Sequence, residues 1–146
     1  MLLLRNRPAG AVAPLKRSVQ DDPSNLAAWG NLGNALESSG QLPEAVLAYQ
    51  SALALGPQVG LENSLGRVLA MEGRNEDAEI AWRTAMAMDP GQVEARCNLG
   101  LLLAHLGRMQ EARQLWSQAL ELAPADSPLR PRLQGFLAHS RGTGSG

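Results

Sequence analysis

An all-α fold built from repeated helix pairs is what this sequence predicts, and three observations predict it. First, three stretches of equal length carry matching residues at matching offsets. Leu32–Pro57 reads LGNALESSGQLPEAVLAYQSALALGP, Leu65–Pro90 reads LGRVLAMEGRNEDAEIAWRTAMAMDP, and Leu99–Pro124 reads LGLLLAHLGRMQEARQLWSQALELAP. Self-similarity at a fixed period of this length is the signature of stacked repeat units. Second, Pro23, Pro57, Pro90 and Pro124 recur at intervals of 34, 33 and 34 residues. The shorter step falls in Gln58–Gly60. Third, the apolar share is carried by Leu, Ala and Met, while Phe and Tyr occur once each. That alphabet forms helices rather than strands.

The elements follow in order. Ala11, Leu15, Ser18 and Pro23 keep the offsets of Ala45, Tyr49, Ala52 and Pro57, and Leu2 stands where Leu36 stands. The chain is therefore expected to begin inside a repeat's first helix. Pro8 and Pro14 disfavour helix, because proline lacks the N–H and clashes with the preceding turn. A short helix is expected from Pro14 to Asp21. Ser24–Ser38 carries Leu26, Trp29, Leu32, Leu36 and the small Gly33 on one helical stripe. Asp22, Ser24 and Asn25 offer capping side chains, and Gly40 offers the stop. Pro43–Leu55 is its partner helix. Leu61–Glu72 with Glu76–Met88, and Val93–Leu106 with Gln110–Leu122, repeat the pair around Gly73 and Gly107. Gly33, Gly66 and Gly100 on the first helices, and Ala45, Ala78 and Ala112 on the second, let paired helices approach. Trp29, Tyr49, Trp82 and Trp116 fill the space that remains. After Pro124 a last helix has Leu129, Leu133, Phe136 and Leu137 on one face, with Arg130, Arg132 and Gln134 facing away. One dry face and one wet face suit a terminal cap. The chain thus divides into a degenerate repeat at 1–25, repeats at 26–58, 59–92 and 93–126, a capping helix at 127–140 and a flexible tail at 141–146.

Charge and composition exclude several function classes. Thirteen Lys and Arg face 14 Asp and Glu, with no basic run, so no nucleic-acid partner is expected. Cys97 is the only cysteine and has no partner for a disulfide. His105 and His139 are the only histidines, and no paired His or Cys spacing points to a metal. The glycine-containing segments lack the flanking strand of a phosphate loop. No cofactor and no catalytic residue is implied. Leu2–Leu4 is too short for the apolar region of a signal peptide, and no stretch approaches a membrane span, so the default location is cytoplasmic.

The repeated residues resemble those of the tetratricopeptide repeat family. The first copy carries Trp29, Leu32, Gly33, Leu36, Gly40, Ala45, Tyr49, Ala52 and Pro57, and the later copies follow from Leu65 to Pro90 and from Leu99 to Pro124. Glu62 and Arg96 depart from the pattern where the first copy has Trp29. The resemblance implies a right-handed superhelical solenoid of antiparallel helix pairs whose first helices line a concave groove. It also implies a non-catalytic scaffold that binds a peptide or protein partner.

Function is expected in that groove, at residues flanking each L-G pair: Asn31, Ser64 and Asn98 before it, and Asn34, Arg67 and Leu101 after it. Asn63, Met71 and His105 complete the expected lining, with Cys97, Glu37 and Ala104 as further candidates. An amide carries donor and acceptor together and can pair with a peptide unit whatever its side chain. Asn31 and Asn98 occupy the position of the asparagine ladder in the peptide-binding superhelix of O-linked N-acetylglucosamine transferases, and Ser64 interrupts it. The carboxylate clamp of chaperone cochaperones is not matched, since Ala27, Gly60 and Glu94 stand at one of its basic positions and Gly30 at another. The alternative is a self-associating assembly module, a homo-oligomer through the partial N-terminal repeat, or part of a larger assembly factor or enzyme.

Overall fold

The computed structural model describes residues 8–143, with side chains at 10–141. The expectations for Leu2 and for the tail at 144–146 lie outside the described residues. Among those residues the secondary structure is helical throughout: α1 (Pro8–Asp21), α2 (Leu26–Ser38), α3 (Leu42–Leu55), α4 (Val59–Met71), α5 (Asn75–Met88), α6 (Val93–His105), α7 (Met109–Leu122) and α8 (Leu129–Thr143). Two compact units result, Met1–Ala78 and Glu79–Gly146, divided within α5.

In the first unit, α2 starts where Asn25 can cap it. The Asn25 side chain accepts the Ala28 N–H at 3.1 Å, one of the donors a helix start leaves without an internal partner. Asp22 instead accepts from the backbone and hydroxyl of Ser24 at 3.2 and 2.6 Å. The helix stops at Gly40, whose φ is +79°. The Gln41 N–H reaches the Leu36 carbonyl at 2.9 Å and the Gly40 N–H reaches Glu37 at 3.0 Å. This is a Schellman closure, and its left-handed residue favours glycine. Gly73 and Gly107, at φ +79° and +84°, close α4 and α6 with the same pair of bonds. The turn sends α3 back along α2, and Leu32, Leu36, Ala45, Ala48, Tyr49 and Ala52 are buried in this unit. The Tyr49 ring lies so close to Gly33 that a Cβ there would come within 2.5 Å of it.

Helix α1 corrects the expected short helix. It begins at Pro8 and carries Pro14 inside it. Pro14 withholds a donor from Gly10, but both residues are exposed, so water can serve that carbonyl. The buried residues of α1 are Val12 and Val19, whereas Ala11 and Ser18 are exposed. Val12 and Val19 hold the offsets of Val46 and Leu53, one residue beyond the repeat alanines. This face packs on α2.

In the second unit, Trp116 is the centre of the α6–α7 pair. It is 3% exposed. Its indole lies against Gly100 with no room for a Cβ. Its Nε1–H donates to the Cys97 carbonyl at 3.3 Å, and its ring lies 5.1 Å from that of Phe136. Arg108 ties the start of α7 to α5 through Glu79 at 3.0 and 3.2 Å, and also bonds Glu111 at 2.6 Å. In α8, Leu133 is buried and Leu129, Phe136 and Leu137 are half-buried. Arg130 does not face away as expected. It is half-buried and donates to the Leu120 and Ala123 carbonyls at 2.9 and 3.0 Å. A helix C-terminus leaves such carbonyls without partners, and a cation there suits the helix dipole. Helix α8 also takes in Arg141, Gly142 and Thr143, which the sequence assigns to the tail.

Candidate functional site

In the first unit α2 and α4 flank an open cleft of about 260 Å³. Its lining is Leu26, Ala27, Gly30, Asn31 and Asn34 from α2, Gln58 from the linker, and Gly60, Leu61 and Ser64 from α4. None of these side chains carries a charge. Three amides and one hydroxyl give it donors and acceptors of both kinds. Three of the expected residues, Asn31, Asn34 and Ser64, are therefore brought together.

Next to this cleft a polar strut joins three helices. The Tyr49 hydroxyl lies 2.7 Å from Asn34 Oδ1 and 2.8 Å from Glu37 Oε1. Its single proton has two oxygens to choose between, and the carboxylate is the stronger acceptor. An Asn34 amide turned about its axis then gives an N–H to the phenol oxygen. Arg67 donates through Nε to Glu37 Oε2 at 2.7 Å and through Nη2 to Oε1 at 3.0 Å. Nη2 also lies 3.4 Å from Ser64 Oγ. Arg67, expected to line the groove, is thus engaged by Glu37, and the two charges cancel locally.

Burial pushes the Glu37 carboxyl up, but the bonds from Arg67 and Tyr49 outweigh it and leave its pKa below the usual carboxylate value. Burial, reinforced by the Glu37 carboxylate, holds the Tyr49 phenol well above its ordinary pKa, so it remains protonated and able to donate. Because the folded-state pKa of Glu37 is depressed, its stabilisation is full above the ordinary carboxylate value. It is lost as pH falls through the lower folded value. Acid titration of unfolding should therefore show the wild type losing more stability below about pH 4 than Glu37→Gln does. Parallel curves for the two proteins would show that the strut does not stabilise the fold.

The other expected residues are placed differently. Asn63 is 5% exposed and packs inside the first unit, which corrects its assignment to the groove. It stands at the helix position of Gly30, which is also buried and turned inward. Met71 is exposed at the C-terminal end of α4, away from the cleft lining. In the second unit, α6 places Asn98 half-buried, with Leu101 and His105 exposed. Cys97 is buried, and burial pushes its thiol pKa up, which disfavours the reactive thiolate. Gln58 is a cleft residue that the repeat pattern does not reveal, because it lies in the linker where one copy is a residue shorter. Among the described residues no group of three or more His, Cys, Asp and Glu side chains is arranged to hold a metal ion. None of their helices is long and apolar enough to cross a membrane.

Helix pairs closed by glycine turns, with a glycine seated against an aromatic ring, define an all-α helical repeat of the solenoid class. The tetratricopeptide repeat profile matches residues 2–59 and 63–127, and the chain belongs to the tetratricopeptide repeat family. No curated protein sequence matches it. Solved structures do. A thermophilic tetratricopeptide repeat protein of Thermus thermophilus is 28% identical, covering 88% of this chain and 72% of its own, with a TM-score of 0.75. MamA is 18% identical over 94% of this chain and 88% of its own, with a TM-score of 0.78. The type III secretion translocator chaperone SycD of Yersinia enterocolitica is 20% identical over 83% of this chain and 95% of its own, with a TM-score of 0.77. At these last two identities the likeness shows the fold. Repeats of this family are in general non-catalytic modules that hold protein partners.

Proposed function

We propose that this protein is a non-catalytic interaction scaffold that binds an extended segment of a partner protein in the α2–α4 cleft. The observation that carries this reading is the cleft's amide lining, Asn31, Asn34 and Gln58, with Ser64 beside them. An extended segment has a backbone N–H and C=O on every residue, and these need partners once water is displaced. Asn98 and Leu101 on α6 offer the second unit's own contact surface. Asn31→Ala combined with Gln58→Ala should weaken binding of a library-selected peptide by about tenfold while leaving helicity and melting unchanged. Unchanged affinity in that double variant would remove the cleft amides from recognition.

Self-association is the second reading, and one observation favours it. Ala11 and Ser18 of α1 are exposed, although their repeat counterparts Ala45 and Ala52 are fully buried. Light scattering that gives a monomer mass at every concentration would contradict it.

A further inference from the structure

We infer that the α2–α4 cleft is a pocket for one uncharged aliphatic side chain of the partner segment, and that Gly60 sets its size. This rests on the interaction reading above and adds the chemistry of what is bound.

Leu26 and Leu61 give the pocket its large apolar lining, and Ala27, Gly30 and Gly60 extend no further than a methyl group. The two glycines differ. A Cβ on Gly30 would meet Leu61 Cδ2 at 3.3 Å, so Gly30 serves packing. A Cβ on Gly60 would meet nothing within 4 Å, and its backbone is not left-handed. Neither sterics nor backbone conformation calls for glycine at position 60. Gly60 lines the cleft, and a side chain there would enter open space. The repeat counterpart of Gly60 in α6 is Glu94, which is exposed, so the second unit presents a carboxylate where the first presents room.

Charge and size decide the occupant. No charged side chain lines the cleft, and the adjacent Glu37 and Arg67 neutralise each other at 2.7 Å. A charged side chain laid on Leu26 and Leu61 would lose water and find no opposite charge, which is unfavourable. An aliphatic one gains by leaving water. The volume of about 260 Å³ lies below the roughly 300–1,000 Å³ of drug-sized ligand sites. It suits a side chain with its adjoining backbone, and the rim amides can serve the flanking peptide groups.

The test selects a phage-displayed library of random linear peptides on the full chain and measures affinity by titration. Enriched peptides should share an aliphatic residue between uncharged neighbours. Gly60→Leu should take the space of the anchor side chain and reduce affinity by about tenfold or more, whereas Gly60→Ala should change it by less than about threefold. Replacing the peptide's aliphatic anchor by Asp should cause a comparable loss, and that arm needs no altered protein. If Gly60→Leu and the Asp peptide bind as before while Asn31→Ala weakens binding, the pocket is wrong and the interaction reading stands. Enriched peptides with a charged residue at the anchor position would likewise overturn the pocket and leave the interaction reading in place. A library that enriches nothing, or peptides indifferent to both Asn31 and Gly60, contradicts both.

Discussion

Trp116→Ala is expected to destabilise the second unit by about 3–5 kcal/mol, the range for removing a large buried aromatic side chain. Three losses combine. The indole is 3% exposed, so its removal leaves a cavity. Gly100 faces it without a side chain, so nothing from α6 can collapse inward to fill that space. The contact with Phe136, at 5.1 Å between ring centroids, disappears from the α7–α8 packing. The Cys97 carbonyl also loses the indole donor at 3.3 Å, although it keeps its place in the α6 helix. Urea unfolding should show a lower midpoint, with α8 amides losing protection from hydrogen exchange before those of the first unit. A loss below about 1 kcal/mol, the scale of a surface change, would show that the glycine–tryptophan contact is not central.

Gly33→Val carries the second large effect. A Cβ at position 33 comes within 2.5 and 2.6 Å of Tyr49 Cε1 and Cδ1. The ring cannot move aside freely, because it is fully buried and its hydroxyl is held by Asn34 and Glu37. Overpacking of this kind costs about 1–3 kcal/mol, and the γ-methyl groups of valine place it at the upper end. The cause can be isolated with a smaller residue at position 49. In a double-mutant cycle, Tyr49→Leu should recover part of the Gly33→Val loss, giving a coupling of roughly 0.5–3 kcal/mol. Strict additivity would mean that the clash is not with the ring.

These two contacts explain why the fold was legible. The L-G and aromatic positions recur in every copy, and in the first and third copies the glycine seats the ring in the same way, at Gly33 with Tyr49 and at Gly100 with Trp116, so repetition exposes the contact in the sequence. The turns are legible for the same reason: Gly40, Gly73 and Gly107 all adopt the left-handed conformation. Helix α1 was less legible, since Pro8 and Pro14 argue locally against helix. Packing of Val12 and Val19 overrides that local preference.

The candidate site was legible only in part. Asn31, Asn34 and Ser64 line the cleft, as their places beside the L-G pairs suggest. Asn63 does not, because one step around a helix turns a side chain by about 100°, enough to carry it from the exposed face into the core. The engagement of Arg67 by Glu37 was hidden too, since the two are 30 residues apart and belong to different copies. The repeat counterparts of Glu37 and Arg67 are Ala70 and Leu101, so no repeat offset announces the pair. The cleft itself is defined by what is missing at Gly60, and an absent side chain leaves no pattern to read.

Binding of a partner segment by the cleft amides is open to side-chain amide NMR during titration with a library-selected peptide. The Asn31, Asn34 and Gln58 side-chain NH₂ signals should shift first and saturate together, while the Trp116 indole N–H stays unmoved. Saturating peptide that leaves all three amides in place and shifts signals of α3 or α8 instead would contradict it.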